Sequence, residues 1–391
     1  MSKTINSIIE IYLLVCLFII AFVEIEASGS VPLRVFYLSQ NKGYLLFMLS
    51  MVTYFTICLY GGCKIIKFDR VILLLGLKCI LDLIPYIIDR SIGDAIYWYF
   101  FSMMCIMPII YCIFRNYTNT PTKIIRYLTP FGLILIFQEV LTVFYNGYPF
   151  DSFEYKHYLR IPAAHSNIIG VILLSILCFR LQLKNKSKFG IIVNILFVIG
   201  LLIIQSTGSL LLLVCWFLLI QYKKLLMRNV ILARLLIVAI LVVVIVIFIK
   251  SNFYQIFFEI KSNLKITLAV LTSGRTDIWE LAYLNFLQNP ILGSGIGVTE
   301  YDIGYEVVTT GAHNIVLDLL VQSGLVGLFL YASAVFYGIR KAKNYNDYNK
   351  AIRIGVLVLL SYSLLEVCYF NYSCLFVCWM FIGLYNRKVL L

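Results

Sequence analysis

Two groups of polar residues stand out in a chain otherwise built of apolar runs. The denser lies between 272 and 327: Arg275, Asp277, Trp279 and Glu280, a Gly-rich run from Gly293 to Gly297, then His313 beside Asn314. Arg275 falls where a helix is predicted to begin. Free N–H groups of a first turn, the helix dipole and a guanidinium fork together favour an anion such as phosphate. A surface arginine among lipid headgroups is the simpler reading of the same position. His313 falls where a predicted membrane span opens. An imidazole at such a boundary titrates near neutral pH and can act as a general base, although a lone histidine there is more often a satisfied helix-end residue. The second group, YLRIPAAHSNIIG at 158–170, holds Arg160, His165 and Asn167. It reads either as an interfacial belt with Tyr155 and Tyr158 or as a second half of one ligand site. No Ser-His-Asp arrangement accompanies either group.

The elements that must position these residues are membrane helices. Apolar residues make up 62% of the 391 and charged residues 13%, far from the balance of a soluble domain. A helix needs about 20 apolar residues to cross the hydrocarbon, and about twelve stretches qualify: 7–23, 44–62, 71–88, 95–114, 127–145, 166–183, 189–205, 209–222, 231–249, 314–338, 353–370 and 373–386. The first also resembles a signal peptide, but Glu24 and Glu26 spoil a small-residue cleavage site, so it is kept as a span. The expected fold is therefore an all-α polytopic membrane protein, one integral membrane domain over 1–391.

Charge sets the expected orientation. With the N-terminus in the cytoplasm, about 22 of the 32 lysines and arginines fall on inner segments and about 9 on outer ones. Both termini are then cytoplasmic, and the net charge of +13 is topological, so nucleic acid is not implied as a partner. Two large outer loops result, 146–165 and 250–313. The second is expected to be partly helical, with an amphipathic stretch at 256–271 and a helix over Arg275–Gln288 that Asn289-Pro290 stops. The glycines at 293–297 suit tight turns or close approach of backbone to a ligand. The 11 cysteines lie in or beside apolar runs without CxxC spacing, which reads as packing rather than disulfides or metal ligands.

Acids at membrane depth need partners. Lys78 and Asp82 are four residues apart on one helical face and neutralise each other, a pair read as glue between helices. Asp318, one turn beyond Asn314, is expected to hydrogen-bond within its helix. Glu139, beside Gln138, and Glu366 are costly at membrane depth and are expected to face the bundle interior, lining a cavity or gluing helices, and both stay open as candidates. The turn 205–209 reads as a re-entrant connection.

The stretch 272–327 resembles the bacterial O-antigen ligase and O-antigen polymerase superfamily. The resemblance rests on SGR (273–275) with Trp279, NPILGSGIG (289–297), HN (313–314) and Leu317 to Gly327 ending Gln-Ser-Gly-Leu-Val-Gly. Arg160 with Ser166-Asn167 resembles the family's other loop, with Ser where a Pro is usual. Gln322 stands where members often carry Glu, and Thr207-Gly208-Ser209 stands in place of a usual Ser-Arg. The signature covers about a seventh of the chain. It implies a metal-independent membrane glycosyltransferase without cofactor, acting on undecaprenyl-pyrophosphate-linked glycans at the outer face of the bacterial cytoplasmic membrane. By the same resemblance Arg160 and Arg275 hold the pyrophosphate, His313 activates the acceptor hydroxyl, and Asn314, Asn167, Gly295 and Trp279 bind substrate. The lipid bilayer, and also a chain-length regulator and a flippase, are the implied partners. Polymerase is the preferred activity for O-antigen or capsular polysaccharide, with ligase the alternative and a transporter or flippase less favoured.

Overall fold

Helices begin in this chain where the sequence supplies a cap. Asp69 Oδ1 accepts from Ile72 N, Ser187 Oγ from Gly190 N, Asn314 Oδ1 from Val316 N and Leu317 N, and Asn371 Oδ1 from Ser373 N and Cys374 N. Each satisfies first-turn amides that would otherwise have no partner. The computed structural model describes residues 2–24, 36–37, 42–61, 69–88, 94–146, 160–161, 164–183, 187–204, 206, 208–217, 275–295, 300–302, 308–340, 347–364, 366, 368 and 371–387.

Within them the helices are α1 (Ser2–Phe22), α2 (Lys42–Gly61), α3 (Arg70–Ile88), α4 (Asp94–Arg115), α5 (Pro121–Asn146), α6 (Ser166–Gln182), α7 (Lys188–Ile204), α8 (Gly208–Phe217), α9 (Arg275–Gln288), α10 (Ile315–Ile339), α11 (Asp347–Tyr362) and α12 (Tyr372–Tyr385). Among the described residues four helices, α1, α2, α5 and α10, are long and apolar enough to cross a membrane. Among the described residues the fold is helical except for three short ladders. These pair β1 (Val23–Glu24) with β2 (Phe36–Tyr37), β3 (Arg160–Ile161) with β4 (Ala164–His165), and β5 (Glu300–Asp302) with β6 (Val308–Thr310).

The centre is made by the helices that are apolar all round. Every residue of α12 is buried, as is almost all of α6, and such helices cannot lie at a surface of the bundle. Around them α4, α10 and α11 pack on α12, and α11 also packs along α6. The outward sides of α2, α3, α7 and α10 carry exposed Val52, Leu73, Leu202 and Phe329, as a lipid-facing shell requires.

Each predicted span except 231–249 meets a described helix; that stretch, like the amphipathic 256–271, lies outside the described residues. Two spans read as continuous are broken, and both breaks serve the site. The run 353–370 is helical only to Tyr362. The chain turns there, Ile315 N takes the Ser363 carbonyl at 2.8 Å, and Asn371 caps a fresh start at α12. Apolar composition cannot report such a break, because caps and borrowed carbonyls leave hydropathy unchanged.

The other break is inside α10, where Gly324 adopts φ 62° and ψ −166°. It frees the carbonyls of Val321 and Gln322, which accept from Ser294 N (2.7 Å) and Gly295 N (3.0 Å). Leu325 N and Val326 N in turn donate to Pro290 and Ile291 carbonyls. A Cβ on Gly324 would lie 2.2 Å from Ile291 O, and one on Gly293 (φ 75°) 2.4 Å from the Gln322 backbone. Gly324→Ala is therefore expected to unseat the turn and destabilise the protein by at least about 1–3 kcal/mol, the strain term alone. The check is a lower midpoint of thermal unfolding in detergent. An unchanged midpoint would mean that the break tolerates a side chain.

The same break explains the buried pair on α3. Lys78 Nζ donates to Asp82 Oδ2 at 2.6 Å, Ser323 Oγ donates to Asp82 Oδ1 at 2.6 Å, and Lys78 also reaches Ser323 Oγ at 3.3 Å. The two charges join α3 to the residue beside Gly324, so their bonds extend between helices as well as along one face.

Candidate active site

The carboxylate of Glu366 is the point on which separate elements converge. It sits between α11 and α12, and its side chain is only 2% exposed. A buried carboxylate is costly unless its oxygens are bonded. Here Oε2 accepts from Asn167 Nδ2 at 2.7 Å and from Arg275 Nη2 at 3.0 Å, while Oε1 meets His313 Nδ1 at 2.7 Å. Asn167 is the second residue of α6, Arg275 the first of α9, and His313 immediately precedes the cap of α10. Three helix N-termini thus present a side chain to one anion, an arrangement their dipoles favour.

Each donor is held by its own element. Arg275 opens α9, whose inner face packs Ile278 and Ala282 with Ala312 and Val321 in a small apolar cluster. One turn on, Trp279 Nε1 donates to the Ala312 carbonyl at 2.9 Å. The amide of the same residue donates to Asp318 Oδ1 at 2.6 Å. Residue 312 is therefore gripped at both ends, directly before the histidine. His313 has φ 52°, the one positive value at a non-glycine residue among the described residues. Such a conformation costs about 1–3 kcal/mol and persists where the surroundings over-determine it. Here it turns the imidazole onto Glu366.

The chemistry open to this arrangement follows from donor and acceptor counts. An ionised carboxylate only accepts, so a bond to Glu366 is donated from Nδ1–H, and in the neutral tautomer that makes this bond Nε2 is the acceptor nitrogen. The imidazole is 25% exposed and Arg275 28%, so both can meet a ligand while their shared partner is buried. The guanidinium has five N–H donors in a fork, more than the single bond to Glu366 employs. One face of the cluster thus offers a base and a cationic fork side by side.

Arg275, His313 and Asn167 are brought together as a single cluster. Arg160 begins β3 and pairs in register with His165, which leads directly into α6 and Asn167. Its backbone reaches the same helix start, and its side chain lies outside the described residues. Asn314 caps α10 through its amide oxygen, and Trp279 spends its indole N–H on Ala312. Gly295 gives its amide to Gln322, so the Gly-rich turn packs on α10 at this point instead of offering that N–H to a ligand. Asp318 reaches the Asn314 backbone at the start of its own helix as expected, and its Oδ1 also accepts from Ala312 N, one residue before His313. Glu139 is fully buried, and neither carboxylate oxygen has a hydrogen-bond partner among the described residues. No group of three or more His, Cys, Asp or Glu residues able to hold a metal occurs among the described residues.

Glu366 is the residue of the cluster that sequence reasoning left unassigned. Its signal was an acid in an apolar run with no base three or four residues away, which demands a partner from elsewhere in the chain. Asp82, by contrast, has Lys78 one turn before it.

Residues 192–332 match the family model described as O-antigen ligase. The match takes in α8, α9, the Gly-rich turn, His313 and α10 through its break, and it leaves out Arg160, Asn167 and Glu366. It supports the O-antigen ligase and polymerase superfamily, a group of membrane glycosyltransferase-like enzymes that use lipid-linked glycans. No curated protein matches the chain.

Proposed function

We propose that this chain, which the match over 192–332 assigns to the O-antigen ligase and polymerase superfamily, is a polysaccharide polymerase. It transfers a growing glycan from undecaprenyl pyrophosphate to the non-reducing end of a new lipid-linked repeat unit. The anomeric carbon–oxygen bond to pyrophosphate breaks, and a glycosidic bond to the acceptor oxygen forms. The acceptor's proton passes to His313 Nε2, and Glu366 holds the ring correctly turned through Nδ1. Negative charge builds on the departing pyrophosphate, where the Arg275 fork and Arg160 stabilise it at a site partly shielded from water. The joint bond of Arg275 and His313 to Glu366 carries this reading, because it puts the leaving-group cation and the base on one carboxylate.

The positive-inside bias supports twelve crossings, both termini in the cytoplasm, and the cluster at the outer face of the cytoplasmic membrane. A transporter would be expected to place its polar residues near the bilayer midplane, whereas Arg275, His313 and Asn167 all lie at helix starts. The description of the matched family favours a second reading, transfer of finished polymer to lipid A core or another acceptor. Lipid analysis of a deletion strain separates the two. A core bearing one repeat unit identifies the polymerase, and finished polymer stranded on undecaprenyl pyrophosphate identifies the ligase. Unaltered surface glycan with no stranded intermediate contradicts both.

A further inference from the structure

The Gly-rich turn is bonded to α10 well below the helix start. Gln322 and Gly324 lie seven and nine residues beyond Ile315, about 10–14 Å along the helix at 1.5 Å per residue. With its break α10 counts 25 residues against the about 20 that cross the hydrocarbon, so a centred span enters the apolar layer within about one turn of its end. The turn that donates Ser294 N and Gly295 N to α10 is then inside that layer. α9 must run antiparallel to α10 to reach it, from Trp279 beside Ala312 to Pro290 beside Leu325.

Three further observations agree with that depth. The charges of this segment, Arg275, Asp277 and Glu280, are confined to its start, and 281–295 contains none. The open side of α9 and its turn is mostly apolar: Leu284 is 50% exposed, Leu287 51%, Ile291 64% and Leu292 41%, with uncharged Gln288 and Asn289 exposed between them. The backbone of the turn is also paired, with Gly293 N on Asn289 O and the four bonds to α10 already described. Non-helical backbone at membrane depth is tolerated only when its polar groups are satisfied by protein.

We propose that α9 and the turn after it form a re-entrant hairpin that descends into the bilayer, and that Leu284, Leu287, Ile291 and Leu292 are a lipid-contacting surface. The polar start of the hairpin holds Arg275 at the headgroup level, beside His313. This placement is independent of which transfer reaction the site performs.

Photolabelling of the full-length protein in nanodiscs tests it, with a phosphatidylcholine carrying a diazirine in its acyl chain and peptide mass spectrometry as the readout. The expected result is carbene adducts on Leu284, Leu287, Ile291 or Leu292 at yields within a few-fold of those at Phe329, an exposed residue on the α10 span. Adducts at Phe329 with none on 284–292 overturn the proposal. A parallel water-soluble diazirine then tells how: labelling of 284–292 places the hairpin in water, and its absence means that another part of the protein or a second copy covers it.

Discussion

Glu366→Gln is expected to lower glycosyl transfer about 10²- to 10⁴-fold, the range spanned by a general base and by loss of its orienting carboxylate. The substitution keeps the shape but replaces one acceptor oxygen with an NH₂ group. That group must then face either the Nδ1–H of His313 or the fork of Arg275, both donors. The tautomer that leaves Nε2 basic loses its support, and the cluster loses its negative centre. Transfer rate measured with purified protein checks this, and a variant within three-fold of wild type would remove Glu366 from the mechanism. His313→Ala should fall in the same range without adding to the effect of Glu366→Gln, because the two act as one unit.

Arg275→Ala is expected to reduce transfer about 10²- to 10³-fold, comparable to losing one preorganised donor from a site of developing negative charge. It should also destabilise the fold, because Glu366 keeps its burial and loses its cation. For a fully buried pair that loss is about 3–5 kcal/mol; with Arg275 28% exposed, about 1–3 kcal/mol is the fitting range. The two effects separate in the double variant Arg275→Ala/Glu366→Gln. Removing the orphaned charge should restore most of the thermal midpoint and none of the activity. A double variant that regained transfer would mean that Arg275 serves only to neutralise Glu366.

What was legible in advance depended on whether a partner lay within a helical turn. Arg275 could be set at a helix start from the spacing of Ile278, Leu281 and Ala282 after it and the Asn289-Pro290 stop at the far end, and α9 begins at that residue. Lys78 and Asp82 declared themselves by spacing, but their third member, Ser323, is 241 residues beyond Asp82 and had no local signal. The partner of His313 is 53 residues away, across α10 and α11, in a run that hydropathy reads as unbroken. Glu366 faces the cluster only because α11 stops at Tyr362, and that stop is set by Ile315 taking the Ser363 carbonyl.

The glycines show the same limit. Gly293 and Gly295 were fairly read as a tight turn or a close approach of backbone. What the backbone approaches is α10, at a break that a glycine inside a predicted span gave no reason to expect. Asp318 was read by spacing toward Asn314, whose backbone it does reach, but its bond to Ala312 N, ahead of the left-handed turn at His313, had no local signal. In each case local chemistry was read correctly and the partner was supplied by topology.

The reaction itself is the sharpest test of the cluster. Purified protein in nanodiscs, supplied with a polyprenyl-pyrophosphate-linked repeat unit, should lengthen the glycan and release polyprenyl pyrophosphate in step with each unit added. His313→Ala, folded and able to retain the donor, should yield neither product above background. Undiminished chain growth and pyrophosphate-lipid release by His313→Ala would contradict the account.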